Sequence, residues 1–190
     1  MNDYKLCGNE YFSFNGASTD MSVVDFWQWH FCDRFDLQDK IAEFIVAKAL
    51  GLDAADNVGL WTLFDILYRD SRIEVKETSY YHSWQTDDEP KSQSRSFGIT
   101  KAYSECKNPN STYERQNDIY VFALNTGYTR EESDPLKLEH WEFYVVPTEI
   151  INRECGDAKS ISLPRLRKLA EPVDYNCLKD TIDSCINNMR

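Results

Sequence analysis

FDILYRDSRIEVK, running from Phe64 to Lys76, is the stretch that decides how this chain is read. Residues 64–68 and 73–77 are rich in β-branched, aromatic and other apolar side chains, and the polar run Arg69, Asp70, Ser71, Arg72 between them is a turn candidate. The pattern predicts a β-hairpin. With Tyr68 paired to Ile73, Asp65 would stand opposite Lys76 and Leu67 opposite Glu74. Side chains alternate between faces along a strand, so Asp65, Leu67, Glu74 and Lys76 share one side, and Phe64, Ile66, Tyr68, Ile73 and Val75 share the other. The second side is apolar and is expected to be core. The first brings two acids and a base within reach of one another, close enough for their oxygens to converge on one ion.

Such a cluster suits a hard cation. Mg²⁺ takes oxygen ligands in octahedral geometry, usually keeps several waters and needs only one or two protein carboxylates, so Asp65, Glu74 and the Val75 carbonyl form an adequate set; Mn²⁺ is the alternative. A metal there would polarise a phosphoryl oxygen and acidify a bound water, with Lys76 orienting that water or steadying developing charge. The plain alternative is a solvated hairpin face whose charge pairs are worth about 0.2–1 kcal/mol each. Trp61, Leu63 and Leu67 fall on the same side as the charged trio, which predicts a half-covered face, and charges among apolar neighbours need a partner or a metal.

Asp65 on one strand and Glu74-Val75-Lys76 on the next, preceded by a helix and followed by further strands, resembles the PD-(D/E)xK nuclease superfamily. The segments IEVKETSYYHSW, SRSFGI, DPLKLEHWEFYVVPT and KSISLPRL extend the resemblance to small restriction-endonuclease-like proteins of bacteria and phages. Phe64 stands where a proline often precedes the aspartate. The resemblance implies an α/β (α+β) fold with a restriction-endonuclease-like core, a central mixed sheet of four to five strands flanked by helices. It implies a metal-dependent endodeoxyribonuclease linked to restriction or phage defence, with Asp65 and Glu74 as ligands and Lys76 as catalytic base or stabiliser. Members often add a glutamate from the first core helix. Here residues 37–52 have a helical pattern with Leu37, Ile41, Phe44, Ile45 and Leu52 on one stripe, and Glu43 lies on another side with Val46, Ala47 and Leu50. A catalytically silent module on the same fold, docking a protein partner through its acidic surface, is the competing reading.

Composition bounds these expectations. The chain has 190 residues, 42% of them hydrophobic, enough for a real core and most simply one domain over 1–190. The polar start MNDYKLCGNEY lacks the apolar segment of a secretory signal, and no run approaches the ~18 apolar residues of a membrane span, so a cytoplasmic protein without membrane contact is expected. The six cysteines, Cys7, Cys32, Cys106, Cys155, Cys177 and Cys185, are widely spaced and read as reduced thiols. His82 and His140 have no partner at metal or triad spacing. The formal charge of −11, from 32 acidic and 21 basic residues, repels nucleic acid on average. A local excess of Lys91, Arg95, Lys101 and Lys107 over the lone Glu105 offers a path for a DNA backbone. Double-strand cutting would suit a homodimer or a partner subunit.

Further along, Asp20 is a candidate cap for a helix over 21–32, and 86–94 is a loop by composition. Strands are expected over 95–101, 119–124 and 141–146. Ser162 and Pro164 open a short helix, and Asp174 opens a last one with Leu178, Ile182, Cys185, Ile186 and Met189 on its apolar face.

Overall fold

A computed structural model describes residues 6–31, 37–53, 56–58, 62–81, 95–104 and 111–189. The chain divides into two compact units, Met1–Leu37 and Gln38–Arg190.

In the first unit, β1 (Tyr11–Phe14) and β2 (Ala17–Ser22) form an antiparallel hairpin. Asn15 and Gly16 turn the chain with φ of 50° and 78°. Asn-Gly is the dipeptide that best fits the two left-handed positions of such a turn. α1 (Val23–His30) follows at once. Its cap is Ser22, not Asp20: the Asp25 N–H donates to Ser22 Oγ at 3.2 Å, and Asp25 Oδ2 accepts the Ser22 N–H at 2.8 Å. This reciprocal pair satisfies two orphan donors, which one carboxylate further upstream would not.

The second unit opens with α2 (Gln38–Ala49). Its buried residues are Gln38, Ala42, Ile45 and Val46, with Leu50 just beyond, so the inward stripe lies to one side of the one expected, and Phe44 is exposed. Gly51, at φ 78°, closes the helix in the left-handed conformation that glycine adopts freely. β3 (Ile66–Tyr68) and β4 (Ser71–Ser79) form the expected hairpin. The connection to the next long strand carries β5 (Ser96–Gly98), β6 (Ala102–Tyr103) and β7 (Tyr113–Glu114), the last two paired with each other. β8 (Ile119–Asn125) and β9 (Trp141–Pro147) follow, then α3 (Thr148–Cys155), β10 (Ser160–Ser162), α4 (Leu163–Leu166) and α5 (Tyr175–Met189).

The central sheet is mixed and has four strands in the order β3-β4-β8-β9. β4 and β8 run parallel, and both outer pairs are antiparallel. Every residue of β8 is buried, because both faces of this central strand are covered. Its unbroken sequence IYVFALN follows from that position. On one face Ile73, Val75, Val121, Phe143 and Val145 pack with α2 and α5. On the other, Phe122, Leu124, Tyr144 and Val146 pack with Ile151 of α3, Leu163 and Leu166 of α4, and the antiparallel pair β5/β10 through Phe97 and Ile161. Helices therefore flank a mixed sheet on both sides, as an α/β reading requires. In α5, Leu178, Ile182 and Ile186 form the buried stripe, whereas Met189 is exposed. Among the described residues no helix is long and apolar enough to cross a membrane.

Candidate active site

The hairpin turn fixes the geometry of the candidate site. Arg69 and Asp70 both have positive φ, 50° and 64°, so the loop is two residues long and Tyr68 pairs with Ser71, not with Ile73. The expected register is thus corrected by two residues: Ile66 faces Ile73, where Tyr68 was expected to. A shift of two keeps every side chain on its face, whereas a shift of one would have turned the acids into the core. Glu74 and Lys76 therefore keep a common face, and Asp65 lies just before the paired residues of β3.

β3 is short, and Asp65 extends its reach along β4. The Asp65 N–H donates to the Ile73 carbonyl at 3.0 Å, and Asp65 Oδ2 accepts the Val75 N–H at 2.8 Å. The carboxylate thus stands in for the missing strand. The N–H and C=O of one strand residue point to the same side, so the Val75 carbonyl also points toward Asp65. Glu74 and Lys76 lie on the face opposite Val75, and Lys76 Nζ donates to Glu74 Oε1.

The acids crowd one another. Burial pushes the Glu74 carboxyl above the usual carboxylate range, and the nearby charge of Asp65 adds to this while Lys76 opposes it. Burial raises Glu43 as well; the Lys40 ammonium, which donates to both of its oxygens at 2.7 and 3.0 Å, opposes that, and Asp65 again adds to it. Asp65 is therefore the charge felt by both glutamates. The helix residue Glu43 approaches the same locus from α2, held by Lys40.

Glu74 and Lys76 line a cavity of about 290 Å³ whose wall also includes Leu63, Gly98, Thr100, Arg115, Gln116, Asn117 and Tyr120. Half-covering was expected from apolar neighbours, but Leu63 and Leu67 are 42% and 46% exposed, and polar groups enclose the face instead. Trp61 lies outside the described residues. Tyr120 is the cross-strand partner of Glu74 in the parallel ladder. Burial pushes its hydroxyl up to about 12, with Arg115 opposing and the Glu74 charge assisting, so it is a proton donor at neutral pH. The Arg115 guanidinium is buried and donates to the Ile99, Gly156 and Ala158 carbonyls and to Asn152 Oδ1, at 2.7 to 3.0 Å. Asn117 is held by the Ile119 carbonyl and Thr148 Oγ1. The sequence reading missed Arg115, Gln116, Asn117 and Tyr120; their only signal is the polar run from Arg115 to Asp118 that leads into the apolar run from Ile119 to Leu124.

Among the described residues no group of three or more His, Cys, Asp or Glu side chains is arranged to cage a metal ion. A cation here would rest on Asp65, Glu74 and the Val75 carbonyl, with water completing its shell, a donor set that Mg²⁺ accepts. Burial raises both glutamates with the Asp65 charge adding to it, and a divalent cation would favour their charged forms. The oxygen-only donors therefore fit such an ion.

Of the anticipated basic path, Arg95 and Lys101 lie within the described residues. Arg95 is buried and donates to the Ser79 and Tyr80 carbonyls at 2.5 and 2.7 Å, which corrects its placement as an exposed backbone contact. Lys101 is paired with Asp157 at 2.7 Å. Lys91 and Lys107 lie outside the described residues. The molecule is thus a mixed α/β protein with a cavity lined by the Glu74–Lys76 ion pair. In comparisons with known proteins, no family model, no curated protein and no solved structure matches the chain.

Proposed function

We propose that this protein is a Mg²⁺- or Mn²⁺-dependent phosphodiesterase acting on DNA, on a core of the PD-(D/E)xK type. The observation that carries the reading is a polar-walled cavity lined by the paired Glu74 and Lys76, with Asp65 near enough for its charge to act on Glu74. Asp65 and Glu74 would hold the ion together with the Val75 carbonyl, and the ion would supply Lewis acidity and an acidified water. The chain's own residues do the rest. Lys76 exchanges its bond to Glu74 for one to the attacking water or to a phosphoryl oxygen, placing its charge where negative charge develops. Tyr120, protonated at neutral pH, donates to an oxygen in the cavity. Arg115 contributes positive potential and shape, since its donors are engaged by backbone and Asn152. Glu43, fixed by Lys40, adds negative charge beside Asp65 and strengthens cation binding.

The direct Lys76–Glu74 ion pair favours a second reading, a docking module in which the trio is structural. Cleavage of plasmid, linear and single-stranded DNA with Mg²⁺ or Mn²⁺ separates the two. Metal-dependent cutting is expected in the wild type and a loss of at least about 100-fold in Glu74→Gln and Lys76→Ala, comparable to removing one transition-state donor. Equal background in all three proteins, each folded by circular dichroism, would end the hydrolase reading.

A further inference from the structure

A further groove of the second unit has a cationic wall. About 700 Å³ in volume, it is lined by Arg153, Arg165 and Lys168 together with Ser162 and a single acid, Glu154. That acid is neutralised locally: Arg153 Nε donates to Glu154 Oε1 at 2.9 Å, and Arg165 donates to the Glu154 carbonyl. Residues 158–170 carry Lys159, Arg165, Arg167 and Lys168 and no acid, in a chain whose formal charge is −11. Arg167 is spent on Tyr144 Oη and Glu142, at 2.9 and 3.1 Å. Lys159, Arg165 and Lys168 are exposed, as is Arg153. A concentration of cations on an acidic protein focuses anions at that place alone.

The groove also adjoins the cavity. β10 pairs with β5 so that Ser160 faces Gly98 and Ser162 faces Ser96. Gly98 belongs to the wall of the Glu74–Lys76 cavity and Ser162 to the wall of the groove. Two residues along a strand and one interstrand step separate these positions, roughly 10 Å by ordinary sheet dimensions. That is about three phosphates along one strand of a duplex, at 3.4 Å per charge.

We infer that the groove between α3 and α4 binds the phosphate backbone of a nucleic acid and leads it over the β5/β10 ladder to the Glu74–Lys76 cavity. The inference rests on the proposed phosphodiesterase reading for its choice of nucleic acid. Free phosphate contacts position a duplex without reading its sequence, which suits a groove furnished with long cations and hydroxyls.

Binding of a fluorescent 20-base-pair duplex, followed by anisotropy in EDTA at low salt, tests this independently of cleavage. Arg153→Glu with Lys168→Glu is expected to weaken binding at least tenfold and to flatten the salt dependence by one to two units of log–log slope. Lys48→Glu with Lys137→Glu makes the same change in net charge elsewhere and is expected to leave affinity within a factor of about three. Groove-dependent binding by a protein that never cuts DNA would support the groove and remove the hydrolase reading. Wild-type cutting that the groove variants retain in full, with unchanged duplex affinity, would overturn the groove and leave the hydrolase reading standing. Equal weakening by both double variants, or no duplex binding by the wild type, would overturn the groove.

Discussion

Glu77 sits one residue beyond Lys76 and points the other way, toward α2. Its Oε1 is buried without a hydrogen-bond partner among the described residues, as is Gln38 Nε2. Burial, assisted by the charge of Asp39, pushes its carboxyl up to about 7. A carboxyl whose folded value exceeds its unfolded value holds its proton more tightly when folded. Stability is therefore fullest below about pH 4.5 and declines as pH rises toward 7. The decline attributable to this residue is up to about 3 kcal/mol. Glu77→Gln is expected to abolish most of it. Urea midpoints at pH 5 and pH 8 check this: an identical loss in variant and wild type would contradict the buried, proton-holding Glu77. At this scale the sequence revealed Asp65, Glu74 and Lys76 because strand alternation alone groups them. It concealed Arg115 and Tyr120 because the pairing of Glu74 with Tyr120 is set by a parallel ladder between sequence-distant strands. Arg95 misled for a related reason: a cation in a polar stretch reads as exposed until backbone carbonyls are found around it.

The elements tell a similar story through their turns. Asn15-Gly16 marks a hairpin that composition alone passed over as a polar leader, whereas Arg69-Asp70 makes an equally short turn without glycine. Asp tolerates the left-handed region better than most residues, and Arg69 is held by Asp183 Oδ1 at 2.8 Å and Asn187 Oδ1 at 3.3 Å on α5. Side-chain anchoring of this kind leaves no local sequence signature, which is why the strand faces were legible and the register was not. Beyond β8 the chain folds back tightly. Asn125 accepts the Gly127 N–H at 3.1 Å and donates to the Ser133 carbonyl at 3.2 Å. A Cβ on Gly127 would lie 2.3 Å from the Glu132 carbonyl carbon and the Ser133 nitrogen. Backbone cannot yield as a side-chain tip can, so Gly127→Ala is expected to cost about 1–3 kcal/mol. A thermal melt that matched wild type would show that this loop is looser than its contacts imply.

The whole molecule carries a formal charge of −11, yet it presents a groove lined by Arg153, Arg165 and Lys168. A cation that binds the folded acid pair and not the unfolded chain must stabilise the fold by mass action. At ten times its dissociation constant the gain is about 1.4 kcal/mol, or about 3–6 °C for a chain of this size. Mg²⁺ is expected to raise the melting temperature of the wild type by that order, and to do so far less in Glu74→Gln. An equal rise in both proteins would assign the effect to general screening. The α/β class was legible across the chain because long apolar runs alternate with amphipathic ones; the connection between β4 and β8, built of short strands in its described part, was not, since brief pairings lean on distant partners such as β10. Asp65 seals the edge of β4 by its bond to Val75, whereas Glu74 and Lys76 bond each other. Descent would treat the three unequally. On the proposed hydrolase reading, a lineage released from selection for chemistry would shed the glutamate and the lysine first and keep the aspartate for its fold, so that an intact Asp65 in a descendant would testify to architecture, and only the surviving pair at 74 and 76 to activity.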